Sequence, residues 1–376
     1  MLASSLIGGA LAAGGFAYLG LAFRHVGRAL PPAPASDWRP PVTLMVPAHG
    51  QTPHLEECLR SICGQDYPAL QVVFGLHSPD DPARSVIERI QAEFPTLDTT
   101  LVIDGRRAGS NPKNANLANM YPAAKHDILA MIDSDVMIPP DFLARFIQPL
   151  SDPATGGVTS LYSGKPESNL ASRVGALFHN DWFIPSVLVD LARRDMDICY
   201  GAAIAVTRKA LTAIGGFEAM ADAVAQDFVF GHELYRNGFK VRLSSELVAT
   251  VVAEPTFSAL ISHELRWNRA IRAIRPFEHF LSIFMSPLGP MLLLALFGWP
   301  LWIALPIIAL HVWLRIRLHR LLRERFDLPP VEPWLVPLRE LVNFAIWLRT
   351  PLGRTVRWDN QVLVTGDGLR MKSADK

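Results

Sequence analysis

The stretch ILAMIDSDVMIPPDF, residues 128–142, sets an apolar run of strand length directly before two carboxylates one residue apart, Asp133 and Asp135. A short unbroken apolar run bounded by polar residues reads as a strand buried on both faces. Acids at such a strand end have two explanations. They cap the following turn, or they offer hard oxygen ligands to a divalent cation over a phosphate. The flanking sequence has to separate the two.

Outward from this stretch, apolar runs alternate with helical patterns. VTLMVPA (42–48), LQVVFGL (70–76), TTLVID (99–104) and DILAMI (127–132) read as strands. PHLEECLRSIC (53–63), SVIERIQAEF (85–94) and the segment near NANLANM (114–120) read as helices. Alternation at this spacing predicts an α/β domain with a mainly parallel sheet covered on both faces. In such sheets ligands bind beyond the carboxyl ends of the strands. A second strand end also carries acids, Asp80 and Asp81 in LQVVFGLHSPDDPA. After the first strand the chain reads PAHGQTPHLEE, so the G-x-G-x-x-G fingerprint is missing there, and a Walker lysine loop is absent too. Two acid-tipped strand ends suit a nucleotide whose phosphates arrive with Mg²⁺ or Mn²⁺. Downstream, Asp227 precedes a helical segment, where an acid is also favoured by the helix dipole alone. FSALISHELRWNRAIRAIRP (257–276) has helical period and carries His263, Arg266 and Trp267. A basic amphipathic helix beside a membrane accounts for its Arg269, Arg272 and Arg275.

Composition points to a membrane. Half of the 376 residues are hydrophobic, 19% are charged, and the net charge of +1 argues against nucleic acid as a partner. Residues 1–23 carry no charged side chain, enough to span a hydrocarbon core of roughly 30 Å at about 1.5 Å per residue. Arg24, His25 and Arg28 follow, which places the downstream side in the cytoplasm. A signal peptide carries its positive charge before the apolar run, so residues 1–28 read as an uncleaved anchor despite APA at 33–35. A second block, Phe280–Leu314, lacks Asp, Glu, Lys and Arg and has Pro287, Pro290, Gly298, Pro300 and Pro306 as places to break. Arginines flank it on both sides, so an even number of crossings, a hairpin or a re-entrant pair, is expected. WLVPLRELVNFAIWL (334–348) has Arg339 and Glu340 in its middle, which suits an interfacial or helix-packed segment. Trp299, Trp302 and Trp313 read as interfacial anchors. The Pro-rich 31–41 is a linker. The expected division is an anchor at 1–28, a cytoplasmic catalytic domain at 37–275, and a membrane-embedded region with a cytoplasmic tail at 276–376. Three cysteines without metal spacing suggest a reducing compartment.

Order carries more than any single motif. An acid at the second strand end, then D-x-D, a later lone Asp, and RW before membrane segments resemble the family 2/21-type inverting glycosyltransferases of GT-A fold. CYGAAIAVTRKALTAIGGF (199–217) is similar to that family's wall beneath the acceptor. LHSPDDPA, GSNPKNANL, DSDVMIPPDF, VAQDF, HELRW and the ending GRTVRWDNQVLVTGDG (353–368) resemble the ceramide glucosyltransferases and, among bacterial relatives, the hopanoid glycosyltransferases.

The resemblance implies roles. Asp81 contacts the uracil or ribose, Asp133 faces the nucleoside sugar, and Asp135 ligates the metal on the diphosphate. Asp227 is the general base. Arg266 adds positive charge at the diphosphate, Trp267 closes over the sugar, and Lys113 assists at the nucleotide unless it is a plain loop lysine. His263 stands where the family has Gln or Arg, so its part is open. The animal ceramide enzymes have D-S-G where this chain has D-S-D, which favours a bacterial type with a conventional metal site. The implied reaction moves glucose or N-acetylglucosamine from a UDP-sugar to a lipid hydroxyl, ceramide or bacteriohopanetetrol, at the inner membrane. A processive polysaccharide synthase and a non-catalytic sugar-nucleotide-binding scaffold are the alternatives. His49 and His54 read as ordinary residues, His77 as a pocket candidate, and His179 with Asp181 as a structural pair.

Overall fold

The computed structural model describes residues 2–28, 30, 37–223 and 225–353, and the backbone alone of 355–358, 361–365 and 371–373. Residues 31–36 of the linker and the side chains of the closing motif after Gly353 lie outside the described residues.

The apolar runs become β1 (Val42–Pro47), β2 (Leu70–Leu76), β3 (Asp98–Ile103) and β4 (Ile128–Ile132). The chain adds β5 (Val136–Met137), β6 (Thr155–Pro166), β7 (Ala203–Thr207) and β8 (Lys240–Val252). The sheet order is β3-β2-β1-β4-β7-β6-β8-β5. The first four strands are mutually parallel. Beyond β4 the sheet is mixed: β7 is antiparallel to both neighbours, β8 is parallel to β6, and β5 is antiparallel to β8. The "mainly parallel" expectation thus describes the N-terminal half, where every strand is linked to the next by a crossover helix.

Two cores flank the sheet because successive strand residues point to opposite faces. From β1, Val42, Leu44 and Val46 join the helices Leu55–Cys63 and Ala83–Glu93 on one side. Met45 faces the other side with Leu117 and Met120 of the helix Pro112–Met120. The chain runs from β1 outward to β3, then returns across β1 to β4. The crevice between β1 and β4 is therefore the topological switch point where ligands bind in such sheets.

Helices Leu2–Val26 and Leu301–Phe326 are long and apolar enough to cross a membrane. Segments Pro276–Met285 and Leu288–Leu296 form a pair bent by 69°, either a broken span or a re-entrant loop. The breaks fall at Pro287 and at Gly298–Pro300, whereas Pro306 stays inside its helix. The N-terminal helix packs against the C-terminal ones. A Cβ on Gly8 would sit 2.7 Å from the Trp299 ring, so only glycine permits that contact. Trp299 is accordingly buried and not an interfacial anchor, whereas Trp302 and Trp313 are exposed. Leu19, Ala22 and Val26 join Leu318 and Leu322 in the second core of the sheet. Helix Leu335–Arg349 turns Arg339 and Glu340 inward, both fully buried. Three short strands, β9 (Thr355–Trp358), β10 (Gln361–Thr365) and β11 (Met371–Ser373), form a separate antiparallel sheet.

Candidate active site

β4 ends in a tight turn. The Val136 amide donates to the Asp133 carbonyl (3.2 Å), and the Asp133 amide donates to the Ala202 carbonyl (3.1 Å). The Val251 amide donates to the Asp135 carbonyl at 3.1 Å, which fixes the second acid against β8. Both backbones are held while the carboxylates stay half-buried. Lys113 lies in the first turn of the helix Pro112–Met120, whose start is capped by Asn111 accepting from the Asn114 amide. Its ammonium forms an ion pair with Asp133 and donates to the Gly201 carbonyl at 3.0 Å. Lys113 is therefore not a plain loop residue: it stands in a helix turn and pairs with the first acid of the D-x-D.

Asp227 arrives from the opposite side, in the first turn of the helix Gln226–Arg236. Its Oδ2 lies 3.2 Å from where a Cβ on Gly201 would stand, so Lys113 and Asp227 converge on one glycine. Gly231 makes this approach possible, because a Cβ there would come within 2.4 Å of the Cys199 amide nitrogen. Burial raises the Asp227 pKa, Asp133 adds to the rise, and Lys113 opposes it. Asp135 is pushed up to about 7, first by burial and then by the charge of Asp133, again against Lys113. Tyr162 on β6 feels Asp227, Asp133 and Asp135 together, and these charges and its burial raise its pKa.

The helix Phe257–Ile274 brings Arg266 and Trp267. Burial lowers the Arg266 pKa, while the charges of Asp227 and Glu254 oppose that fall. Trp267 is enclosed by His263 (ring centroids 4.3 Å apart), His179 (5.5 Å) and Phe178 (5.9 Å). His263 is fixed by Glu254, Nδ1 to Oε1 2.7 Å, and so shapes the place of the tryptophan.

Asp81 sits elsewhere on the same sheet edge, nearly enclosed. Its carboxylate accepts from the Gly50 amide (2.9 Å) and the Ala83 amide (2.9 Å) and lies 3.0 Å from His49 Nδ1. It ties the loop after β1 to the helix after β2. His49 therefore has a partner in the candidate site, which its loop position did not announce. His77 lies against the Pro112 carbonyl (2.9 Å), at the start of the helix that carries Lys113. His179 and Asp181 do not pair with each other: Asp181 lies 2.8 Å from His319, and His179 Nδ1 has no hydrogen-bond partner among the described residues. They share the π-helical turn Phe178–Phe183, which sends neighbouring side chains to different faces. Tyr162, Gly201 and Glu254 were not singled out from the sequence. Gly201 at least lies within the quoted CYGAAIAV stretch.

Among the described residues no three His, Cys, Asp or Glu side chains form a protein-only metal cage. The donor set still fits a shared cation. Two half-buried carboxylates one residue apart leave several oxygen positions for phosphates and water, as Mg²⁺ and Mn²⁺ sites on nucleotides require.

The family model of glycosyl transferase family 21 matches residues 7–371. The chain belongs to glycosyl transferase family 21. This family 21 enzyme is 25% identical over 342 residues to ceramide glucosyltransferase 3 of Caenorhabditis elegans, covering 86% of the chain and 72% of the relative. It is 33% identical over 114 residues to the ceramide glucosyltransferase of Komagataella phaffii, covering 29% of the chain and only 22% of that relative. Among solved structures, a mannosyltransferase from Pyrobaculum calidifontis in complex with GDP-mannose and Mn²⁺ superposes with a TM-score of 0.57 at 23% identity, covering 95% of this chain and all of that one. That likeness shows the GT-A fold of the family 21 enzyme.

Proposed function

We propose that this glycosyltransferase moves glucose or N-acetylglucosamine from a UDP-sugar to the hydroxyl of a membrane lipid, with inversion at the anomeric carbon. The observation that carries the reading is the convergence of Lys113 and Asp227 on Gly201, with Asp133 on the lysine, which sets a base beside a diphosphate site. The ceramide glucosyltransferase relatives and the apolar helices support a lipid acceptor.

Asp135, with Asp133, would hold Mg²⁺ or Mn²⁺ on the diphosphate, where a divalent cation supplies Lewis-acid stabilisation of the departing UDP. Asp81 and the loop it pins form the nucleoside side of the crevice. Lys113 and Arg266 bring fixed positive charge to the diphosphate, preorganised for charge that builds as the bond breaks. Trp267 lies over the sugar, held by His263. Asp227 takes the proton from the lipid hydroxyl, whose oxygen bonds to C1 opposite the C1–O bond to phosphate. An α-linked donor then yields a β-glycoside.

The catalytic domain is assigned to residues 37–275, facing the cytoplasm where nucleotide sugars are made. Residues 1–28 are assigned as the anchor and 276–376 as a membrane-embedded region with a cytoplasmic tail, in the inner membrane of a bacterium. The test crosses labelled UDP-glucose and UDP-N-acetylglucosamine with ceramide and bacteriohopanetetrol, using detergent-purified protein. A β-linked glycolipid from one pairing, lost in Asp227→Asn, is the expected result. Polymer in place of glycolipid would make the chain a processive synthase, and neither product nor UDP release from any pairing would overturn the reading.

A further inference from the structure

The helix that carries Arg266 and Trp267 is clamped from outside the catalytic sheet. Glu264, two residues before Arg266, is 2% exposed, and Arg339 of the helix Leu335–Arg349 is fully buried. The two meet in a bidentate pair, Nη1 to Oε1 2.6 Å and Nη2 to Oε2 2.5 Å. The same guanidinium lies 5.2 Å from the centre of the Phe178 ring. Phe178 in turn stacks on Trp267 at 5.9 Å and 25°. One arginine from the C-terminal region thus touches both the backbone segment that bears Trp267 and the ring that Trp267 leans on. Its Nη groups also donate to the Val174 carbonyl (3.4 Å) and the Asn343 side chain, and Asn343 continues to Ser286 at 3.1 Å, while Nε has no hydrogen-bond partner among the described residues.

Stability is a weak reason for such a pair. A buried ion pair is often no more stable than an apolar pair of the same volume, because desolvation offsets the attraction. What the bidentate fork adds is geometry, since two parallel N–H···O bonds fix the relative placement of two helices. Trp267 lies three residues after Glu264 in the same helix, on a neighbouring position of the same face.

We infer that Arg339 is a positioning residue for glycosyl transfer: through Glu264 and Phe178 it holds Trp267, and with it Arg266, over the donor sugar. This rests on the placement of Arg266 and Trp267 at the donor. The mechanism needs that placement in the transition state more than in the ground state, so loosening the clamp lowers kcat more than it raises the donor KM.

The experiment uses the full-length enzyme in detergent or nanodiscs. Arg339→Ala would leave Glu264 buried and unpaired, with a risk of misfolding, so two other variants are chosen. Arg339→Lys keeps the charge and loses the fork. The double variant Glu264→Leu/Arg339→Met replaces the pair by apolar volume. Transfer is measured per folded molecule, beside Trp267→Ala, Arg266→Ala and the combination Arg339→Lys/Trp267→Ala. We expect kcat to fall on the order of ten- to a hundredfold in Arg339→Lys, as a displacement near 1 Å produces. The apolar double variant should behave alike at an unchanged Tm. In the Trp267→Ala background, Arg339→Lys should have little further effect, because both act through one ring. A purely structural arginine would instead lower Tm and yield with kcat per folded molecule intact, and that result overturns the inference while leaving the donor assignment standing. Full effects of Arg339→Lys and Trp267→Ala that multiply would also overturn it. Unchanged kcat in both Arg266→Ala and Trp267→Ala would remove the donor assignment itself, and the inference with it.

Discussion

At the scale of single residues, the site is a problem of charge. Three carboxylates, Asp133, Asp135 and Asp227, all feel the charge of Lys113, and Asp227 interacts with Arg266 as well. Asp227→Asn keeps shape and removes the base, so kcat should fall about 10²- to 10⁴-fold with UDP binding retained, as measured by turnover and by nucleotide titration. Lys113 opposes the rise in the Asp227 pKa. A base must be ionised, so activity drops as pH falls through its pKa. Lys113→Met should therefore move the acid limb of kcat/KM to higher pH, and an unmoved limb would separate the two residues. Asp135 gives a stability prediction. Its folded pKa, about 7, lies above the ordinary carboxylate value. The folded state then binds the proton more tightly than the unfolded chain, a contribution fully present below the unfolded pKa near 3.9 and lost as pH rises to about 7. Metal-free Asp135→Asn should melt above wild type at pH 8 and level with it when the wild-type acid is protonated. Added Mn²⁺ should stabilise the wild type and not the variant. Identical melting curves with and without Mn²⁺ would remove the metal role.

At the scale of elements, what could be read in advance depended on whether the signal was local. Asp133 and Asp135 were legible because a buried parallel strand is an unbroken apolar run, and its end is where ligands sit in such sheets. Asp227 and the Arg266–Trp267 pair were proposed through motif order; Arg266 and Trp267 fall on a helix as expected, whereas Asp227, expected just ahead of its helix, lies in the first turn. The antiparallel half of the sheet was not legible, since β6 and β8 pair across some eighty residues and their partners leave no local trace. Tyr162 was missed for the same reason: its relation to the acids is set by the sheet and not by its neighbours in sequence. The π-helical turn at FHNDWF reads as ordinary helix because one extra residue barely disturbs the period. Glycine packing was hidden too, although it decides where the proposed base, Asp227, sits. Gly231→Ala would place a methyl group 2.4 Å from the Cys199 nitrogen, so the helix of Asp227 must move. We expect a loss of about 1–3 kcal/mol in stability, the usual range for overpacking, with kcat falling further than that loss explains. Thermal unfolding and turnover on the same preparation check both. Wild-type turnover in a folded Gly231→Ala protein would mean that Asp227 tolerates displacement and is not the base.

At the scale of the whole molecule, the packing of the two long helices constrains the topology. Gly8 meets Trp299, Phe16 lies 6.3 Å from His311, and Leu19 and Ala22 share a cluster with Leu318 and Leu322. Contacts that advance together in both sequences make the helices parallel. Their basic ends, Arg24 in one and Arg323 and Arg325 in the other, therefore lie at the same end, beside the sheet. The charge rule predicts that this end faces the cytoplasm, as proposed above. A chain that leaves the catalytic domain on this side and enters Leu301 from the far side must cross in between. The bent pair Pro276–Met285 and Leu288–Leu296 lies between the two, and on this proposal it makes that crossing as a broken span. Phe297, 78% exposed, sits at the turn that follows, whereas Asp127 sits exposed on the catalytic sheet. The native cysteines Cys58, Cys63 and Cys199 are buried, so a single introduced thiol reports its own position. With a membrane-impermeant maleimide, Phe297→Cys should label in right-side-out vesicles and Asp127→Cys only in inverted ones. Labelling of both from the same side would return the bent pair to a re-entrant loop. The long helix would then have to insert without crossing, its exposed Leu301, Trp302 and Trp313 held in one leaflet.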